Sequence, residues 1–362
     1  MDKEEDKGFI RRCFELAANG IGNVSPNPLV GAVIVKDGKI LSEGYHREFG
    51  SMHAEVDAIV NAGESVQNAT LYCNLEPCCH NDKKTPPCVP LIIKSGIKKV
   101  VISNFDPNPR VAGKGVEQLK IAGIKVETGI LNEEGRELNR FFFKFISRKL
   151  PYVTLKIAQS IDRKISAKDG IQTWLTGEES SRFVHAQRAI YDAVLVGAGT
   201  INTDNPQLNV RNVNGRNPIR IIVDGNLNIN IESISLNDSD RTNTWVFVSE
   251  NTRGDKLNKL LDKGVKIILA PSDDRNVIDL KFILGKLAEE NIISVLIEGG
   301  RFVFSEFISQ NLFDEIIILQ SPKILGKGIT AFENSNDISL ELYSAEVLGQ
   351  DLKYVYKNFS EE

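Results

Sequence analysis

Between His53 and Cys88 the chain sets out His53-Ala54-Glu55, then Glu76-Pro77-Cys78-Cys79-His80, then Thr85-Pro86-Pro87-Cys88. A histidine, a carboxylate two residues on, and a Pro-Cys with a second cysteine downstream have to meet at one point to act together. Zinc takes imidazole and thiolate ligands in a tetrahedron, and a catalytic site leaves the fourth position to water. One neutral imidazole and two thiolates balance the charge of the ion, which lowers the pKa of its water toward neutrality. His53, Cys78 and Cys88 are the candidate ligands. Glu55 is the candidate proton shuttle between water, a ring nitrogen and a leaving amine, the parts of hydrolytic nucleobase deamination. Cys79 adjoins Cys78 and stays open as an alternative ligand. The competing reading is a structural zinc site, which calls for four ligands with paired short cysteine spacings. This stretch lacks them.

Residues i and i+2 lie about 200° apart around a helix. His53 and Glu55 therefore share a site only where the metal lies off a helix N-terminus. Gly50-Ser51 is the expected start signal, and 54–60 reads as helix. Cys78 follows a strand-like run at 69–75, and a helix N-terminus there would favour its thiolate. Cys13 and Cys73 lie in apolar settings and read as core. His46 and His80 stand open between substrate contact and plain loop.

The 362 residues carry 44 Lys and Arg against 48 Asp and Glu, a net charge of −4. Polynucleotide-binding enzymes show a basic footprint, so the balance points to a small-molecule substrate and no nucleic acid. The charged start, residues 1–7, is no signal peptide. No apolar run approaches the ~18 residues of a membrane span. Five cysteines, most of them in a metal motif, fit a reducing compartment. A cytoplasmic enzyme without a membrane partner is expected.

At about 150 residues per domain the length points to two domains, with the boundary at Leu150-Pro151: 1–149 and 150–362. The first reads as helix 9–18, a hairpin of 29–35 and 40–44 around Asp37-Gly38, the His53 helix, a strand near Leu71, a helix after Cys88 and a strand at 99–102. The aromatic cluster 141–145 reads as a docking surface between domains or subunits. The second domain shows strand-like runs at 152–158, 193–196, 219–224, 245–248, 265–269 and 294–298. Several are apolar throughout, as in strands covered on both faces. Glycines follow two of them, Gly197-Ala198-Gly199-Thr200 and Gly299-Gly300, where backbone amides can approach a phosphate. Both halves are α/β, each a three-layer α/β/α arrangement of sheet and helices.

In this order the motifs resemble the bifunctional deaminase/reductase family of riboflavin biosynthesis, over nearly the whole chain. Besides the residues above, the resemblance rests on Pro26-Asn27-Pro28-Leu29-Val30-Gly31, Asp106-Pro107-Asn108-Pro109 and Gly113-Lys114-Gly115. In the second half it rests on Lys156 to Asp162, Trp174-Leu175-Thr176, Arg188, Asp204-Asn205-Pro206, Leu208 to Arg211, Glu298-Gly299-Gly300 and Pro322 to Gly326. It implies a cytidine-deaminase-like domain followed by a dihydrofolate-reductase-like domain, with one zinc ion in the first and NADPH in the second. The family's deaminase substrate is 2,5-diamino-6-(5-phosphoribosylamino)pyrimidin-4(3H)-one. Its reductase turns the ribosyl group of the product to ribityl.

By motif match, Asn27 and Lys84 would contact the deaminase substrate. NADP contacts would fall on Ala158, Trp174, Thr200, Asp204, Gly225, Gly300, Arg301 and Phe302. Reductase-substrate contacts would fall on Lys156, Gln172, Arg188, Leu208, Arg211 and Glu298, with the two arginines holding the substrate phosphate. The family also implies a homo-oligomer. Three departures stand out: the Cys78–Cys88 gap is one residue longer than usual, Arg163 follows Asp162 where glycine is common, and Gln172 and Gly225 replace serines. The alternatives are a single-activity deaminase with a non-catalytic second domain, and a nucleic-acid-editing protein.

Overall fold

Lys36-Asp37-Gly38-Lys39 makes the hairpin that joins the first two strands. Asp37 and Gly38 have φ of 50° and 75°, the backbone of a two-residue type I′ hairpin, and Lys36 pairs with Lys39 across it. The computed structural model describes residues 3–63, 65–80, 85–333 and 337–358. It divides into two units, Met1–Lys149 and Leu150–Glu362.

The first unit runs α1 (Lys3–Ala18), β1 (Gly31–Lys36), β2 (Lys39–Tyr45), α2 (Ala54–Asn61), β3 (Thr70–Leu75), α3 (Cys88–Lys94), β4 (Lys99–Asn104), α4 (Lys114–Ile121), β5 (Lys125–Thr128), α5 (Asn132–Leu138) and α6 (Arg140–Arg148). The sheet order is β2-β1-β3-β4-β5. β1 is antiparallel to both neighbours, and β3, β4 and β5 are parallel. Alternation along the strands decides the layers. Val33, Val35, Tyr72 and Val101 pack on Ile10, Cys13 and Leu16 of α1. Ala32, Ile34, Leu71, Cys73, Val100 and Ile102 pack on the other face with residues of α2, α3 and α4. Of the aromatic cluster, Phe142 is buried, while Arg140 and Arg136 lie over the Phe141 and Phe143 rings.

The second unit runs β6 (Tyr152–Ser160), β7 (Lys164–Ser166), α7 (Glu178–Ile190), β8 (Ala193–Gly197), α8 (Ala198–Asp204), β9 (Ile219–Val223), β10 (Thr244–Ser249), α9 (Asp255–Asp262), β11 (Lys266–Ala270), α10 (Leu280–Glu289), β12 (Ser294–Gly299), α11 (Arg301–Ser309), β13 (Glu315–Ser321), β14 (Ile329–Thr330), β15 (Glu341–Leu348) and β16 (Asp351–Lys357). Its main sheet has the order β11-β10-β9-β8-β12-β6-β13-β16-β15. The strands from β11 to β13 run parallel, and β16 and β15 close the edge antiparallel. Leu155, Ile157, Leu195, Ile221, Phe247 and Ile297 face α10 and α11. Val194, Val196, Ile222, Val246 and Val248 face α8 and α9. Each unit is thus a three-layer α/β stack. The apolar runs in the sequence all became strands of the parallel part. The closing hairpin gave no such signal, because β15 is exposed along most of its length.

Candidate active sites

Helix α2 begins immediately after His53, whose backbone is extended (φ −73°, ψ 156°) and whose carbonyl accepts the N–H of Asp57. Gly50-Ser51 is therefore not the helix start. Ser51 closes a turn onto Glu48 O instead. The N-terminal position solves the i, i+2 problem, since His53 precedes the first turn and Glu55 lies within it, buried to 3% exposure. Gly44 lets α2 sit this close to β2: a Cβ there would lie 2.3 Å from Ala58 N and 2.5 Å from Ala54 O.

Cys78 follows β3, and Cys88 opens α3. The helix N-terminus thus belongs to Cys88 and not to Cys78, but it serves Cys78: the Cys88 N–H donates to Cys78 O at 3.0 Å and points at Cys78 Sγ at 3.4 Å. His53 Nδ1 lies 3.5 Å from Cys78 Sγ and 3.4 Å from Cys88 Sγ, and the two sulfurs are 3.4 Å apart. Tetrahedral zinc with Zn–S of about 2.3 Å and Zn–N of about 2.0 Å asks for donors roughly 3.5–3.8 Å apart. The donor set and spacing therefore fit the ion. With Nδ1 turned to the sulfurs, His53 Nε2 carries the proton and donates to Thr85 Oγ1 at 3.0 Å, the kind of outer contact that fixes a ligand's tautomer. Cys79 turns away, with Sγ 3.8 Å from Arg110 O, and burial pushes its thiol pKa up.

Asn27 approaches the same site through a histidine whose role the sequence left open. His46 Nδ1 donates to Met52 O at 3.0 Å, so its Nε2 accepts from Asn27 Nδ2, also at 3.0 Å. The His46 and His53 rings meet edge to face, 5.5 Å between centroids. Glu76 is structural: its buried carboxylate accepts the N–H groups of Asp106, Gly113 and Val116, clamping the Asp106–Gly115 stretch onto the Pro-Cys loop. Lys84 lies outside the described residues.

The second unit has a cleft of about 1200 Å³ at the carboxyl ends of its parallel strands, where open α/β sheets bind ligands. Lys156, Ala158, Gln172, Trp174, Arg188, Thr200, Asp204, Leu208, Arg211, Gly225, Glu298, Gly300, Arg301 and Phe302 all line it. At its base, Arg188 Nε and Nη2 hold Glu298 in a two-point pair at 2.5 and 2.9 Å, and Lys156 Nζ adds a contact at 3.4 Å. Burial pushes the Glu298 carboxyl up, but Arg188 and Lys156 pull it further down, to about 2. Arg188 Nη1 also donates to Asn209 O. The side chains thus differ from a clamp of two arginines on a phosphate. Arg188 is engaged inside the protein, and exposed Arg211 is the cation left to an anion at this end.

His185, which carried no motif signal, belongs to this group. It lies one turn before Arg188 on α7, is buried, and its Nδ1 accepts the Arg211 N–H at 3.3 Å. Burial, with Arg188 and Arg211 beside it, lowers its pKa to about 4. It is a neutral brace for the loop that carries Leu208 and Arg211. The only trace in the sequence is the i, i+3 spacing to Arg188.

The remaining lining fits a dinucleotide. Trp174 is 76% exposed and Phe302 58%, an unusual outlay of aromatic surface inside a cleft. A Cβ at Gly299 would stand 3.0 Å from Thr200 Oγ1, so glycine there eases the close approach of the turn after β12 to the turn after β8. Both turns lead into helix starts, where backbone N–H groups favour phosphate. Asp204 has its pKa raised by burial, against a lowering by Lys156. Asp162 is structural: it takes Ser160 Oγ and the N–H groups of Leu325 and Gly326.

A zinc-type donor triangle on one α/β unit, followed by a parallel-sheet unit with a nucleotide-sized cleft, defines a deaminase domain joined to a reductase domain. Residues 3–104 match the cytidine and deoxycytidylate deaminase zinc-binding region, and residues 151–354 match the RibD C-terminal domain. The riboflavin biosynthesis protein RibD of Aquifex aeolicus is 41% identical over 99% of this chain and all of that protein. That of Bacillus amyloliquefaciens is 39% identical over 95% and 94%. The solved RibD of Acinetobacter baumannii superposes with a TM-score of 0.89 at 35% identity, covering 99% of this chain and 100% of that one. A Thermotoga maritima diaminohydroxyphosphoribosylaminopyrimidine deaminase/5-amino-6-(5-phosphoribosylamino)uracil reductase gives 0.85 at 40%, covering 98% and 99%. The chain belongs to the RibD family, bifunctional enzymes of riboflavin biosynthesis that pair a zinc deaminase with an NADPH-dependent reductase. Among the described residues, no helix is long and apolar enough to cross a membrane.

Proposed function

We propose that this chain carries out two consecutive reactions. The first removes the 2-amino group of 2,5-diamino-6-(5-phosphoribosylamino)pyrimidin-4(3H)-one by hydrolysis. The second reduces the ribosyl group of the resulting 5-amino-6-(5-phosphoribosylamino)uracil to ribityl with NADPH. The observation that carries the reading is the presence of both sites in one chain: the His53–Cys78–Cys88 triangle with Glu55 on the adjoining helical turn, and the cleft of the second unit with its buried Glu298 group.

In the first site, His53, Cys78 and Cys88 hold the zinc, which supplies Lewis acidity and lowers the pKa of water. Glu55 would take one proton from the attacking water to the ring nitrogen and then carry the second, from the hydroxyl so formed, to the amino group, which leaves as ammonia. Asn27, oriented through His46, contacts the pyrimidine, and the family resemblance implies a substrate contact for Lys84 as well. In the second site the hydride comes from NADPH, while the protein supplies position and charge. Ala158, Trp174, Thr200, Asp204, Gly225, Gly300, Arg301 and Phe302 hold the cofactor. Lys156, Gln172, Arg188, Leu208, Arg211 and Glu298 shape the substrate end. There Lys156, oriented by Glu298, delivers a proton or clamps the sugar, and Arg211 meets the phosphate.

One assay tests the pair. With the diaminopyrimidine as substrate, ammonia and NADPH are followed together. Ammonia release should precede NADPH oxidation, and oxidation should require the deaminated intermediate. Folded protein that releases ammonia and never oxidises NADPH would end the two-site reading. We also take the working form to be a cytoplasmic homo-oligomer, as the family resemblance implies. Sedimentation of the purified chain checks the assembly.

A further inference from the structure

The cofactor assignment leaves one end of the cleft without a named charge. The substrate-end residues Lys156 and Glu298 lie on β6 and β12, so the reacting end of the cofactor lies there. Gly225 follows β9, three strands away in the order β6-β12-β8-β9, or about 14 Å at 4.8 Å per strand. On the NADPH reading, the adenosine end with its 2′-phosphate would fall beside Gly225.

Gly225 offers no side chain, and it cannot carry one. A Cβ there would stand 1.8 Å from Asn276 O. The turn 273–277 occupies that space and is braced to hold it. Asp273 accepts the N–H groups of Arg275 and Val277, Asn276 N–H bonds Asp273 O, and Asn276 Nδ2 reaches across to Asn226 Oδ1 at 2.7 Å. At the tip stands Arg275, which lines the cleft. The other cations of the lining are placed elsewhere. Lys156 and Arg188 hold Glu298, Arg211 stands on Asn209 beside them, Arg301 pairs with Glu333, and Lys168 belongs to the segment that carries Gln172 and Trp174.

We infer that Arg275 is the specificity residue for the 2′-phosphate of the cofactor, brought to the adenosine end by the turn that packs over Gly225; this rests on the NADPH reading above. Asp273 Oδ2 receives Arg275 Nε and Nη2 at 3.2 and 3.1 Å, so the guanidinium is held at the rim with Nη1 directed to no other group among the described residues. A planar guanidinium suits a phosphate dianion through two parallel charge-assisted bonds. Arg275 is 80% exposed, so the phosphate reaches it without disturbing the core.

Calorimetry on the full chain with NADP⁺ and with NAD⁺ tests this without turnover. Wild type should prefer NADP⁺. Arg275→Gln should weaken NADP⁺ binding about 10- to 100-fold, the worth of a hydrogen bond to a charged group, and leave NAD⁺ affinity within about twofold. Arg275→Lys should fall between, and all three proteins should melt together. A wild type that prefers NADP⁺ and an Arg275→Gln protein with the same ratio overturns the inference alone. A wild type that binds both dinucleotides equally overturns the NADPH reading and this inference with it.

Discussion

The two sites are built in opposite ways. The deaminase site draws its metal donors and Glu55 from a short stretch around three chain turns, and its three donor atoms close to within 3.5 Å. The reductase cleft draws on residues from Lys156 to Phe302, and its centre is a charge group, Lys156–Glu298–Arg188, contributed by two strands and a helix. A metal asks for a few donors of fixed type at fixed distance. A dinucleotide and a sugar phosphate ask for a long surface in which most groups act together with others. Removing one member should therefore be all-or-none in the first site and graded in the second.

The sharpest break is Glu55→Gln. Deamination should fall at least about 10²- to 10⁴-fold, the range of a positioned acid–base group, with zinc content unchanged and with the deaminated intermediate still reduced by NADPH. Full ammonia release by this variant would remove Glu55 as the shuttle. Glu298→Gln comes next. It leaves Arg188 and Lys156 without their buried counter-charge, which costs about 3–5 kcal/mol. Both tryptophans, Trp174 and Trp245, lie in the second unit, so their fluorescence in a urea titration reads this loss. Thr85→Ala should weaken zinc about 10- to 100-fold, as other outer-contact losses do, measured by competition with a chelator. In the paired comparison, Cys78→Ser should lose the metal and Cys79→Ser should keep it; the reverse would move the ligand register.

The gentlest test is acid. His185 titrates near 4 in the folded state, below its unfolded value of about 6.5. A lowered value means that the fold holds the neutral form. Its contribution is complete above about pH 6.5 and is lost as pH falls toward 4. Glu298, lowered to about 2, contributes fully above about pH 4.5 and loses that contribution toward pH 2. The second unit should therefore weaken in two steps on acidification, and His185→Asn should erase the upper one. A single step in both proteins would count against the neutral His185 brace.

Much of this was open to reading along the chain, and the legible parts share a cause. His53, Glu55, Cys78 and Cys88 are recognisable because their chemistry is rare and their spacing local. Most of the parallel strands are recognisable because burial on two faces favours unbroken Val, Ile and Leu, while the parallel strands β5 and β13 carried no expectation. His185 escaped because a single helical histidine has no distinguishing pattern. The Gly50-Ser51 start was misplaced because Ser51 closes a turn back onto Glu48. The strand β15 escaped because it is exposed and lacks an apolar signature.

By itself the sequence determined the layered α/β architecture and the metal chemistry, since periodicity and ligand type are local properties. Only the tertiary structure decided which cysteine faces His53 and that Arg188 turns inward to Glu298. It alone decided that the turn at Asn276 lies over Gly225. These depend on which elements pack together, and packing brings together atoms that the chain keeps far apart.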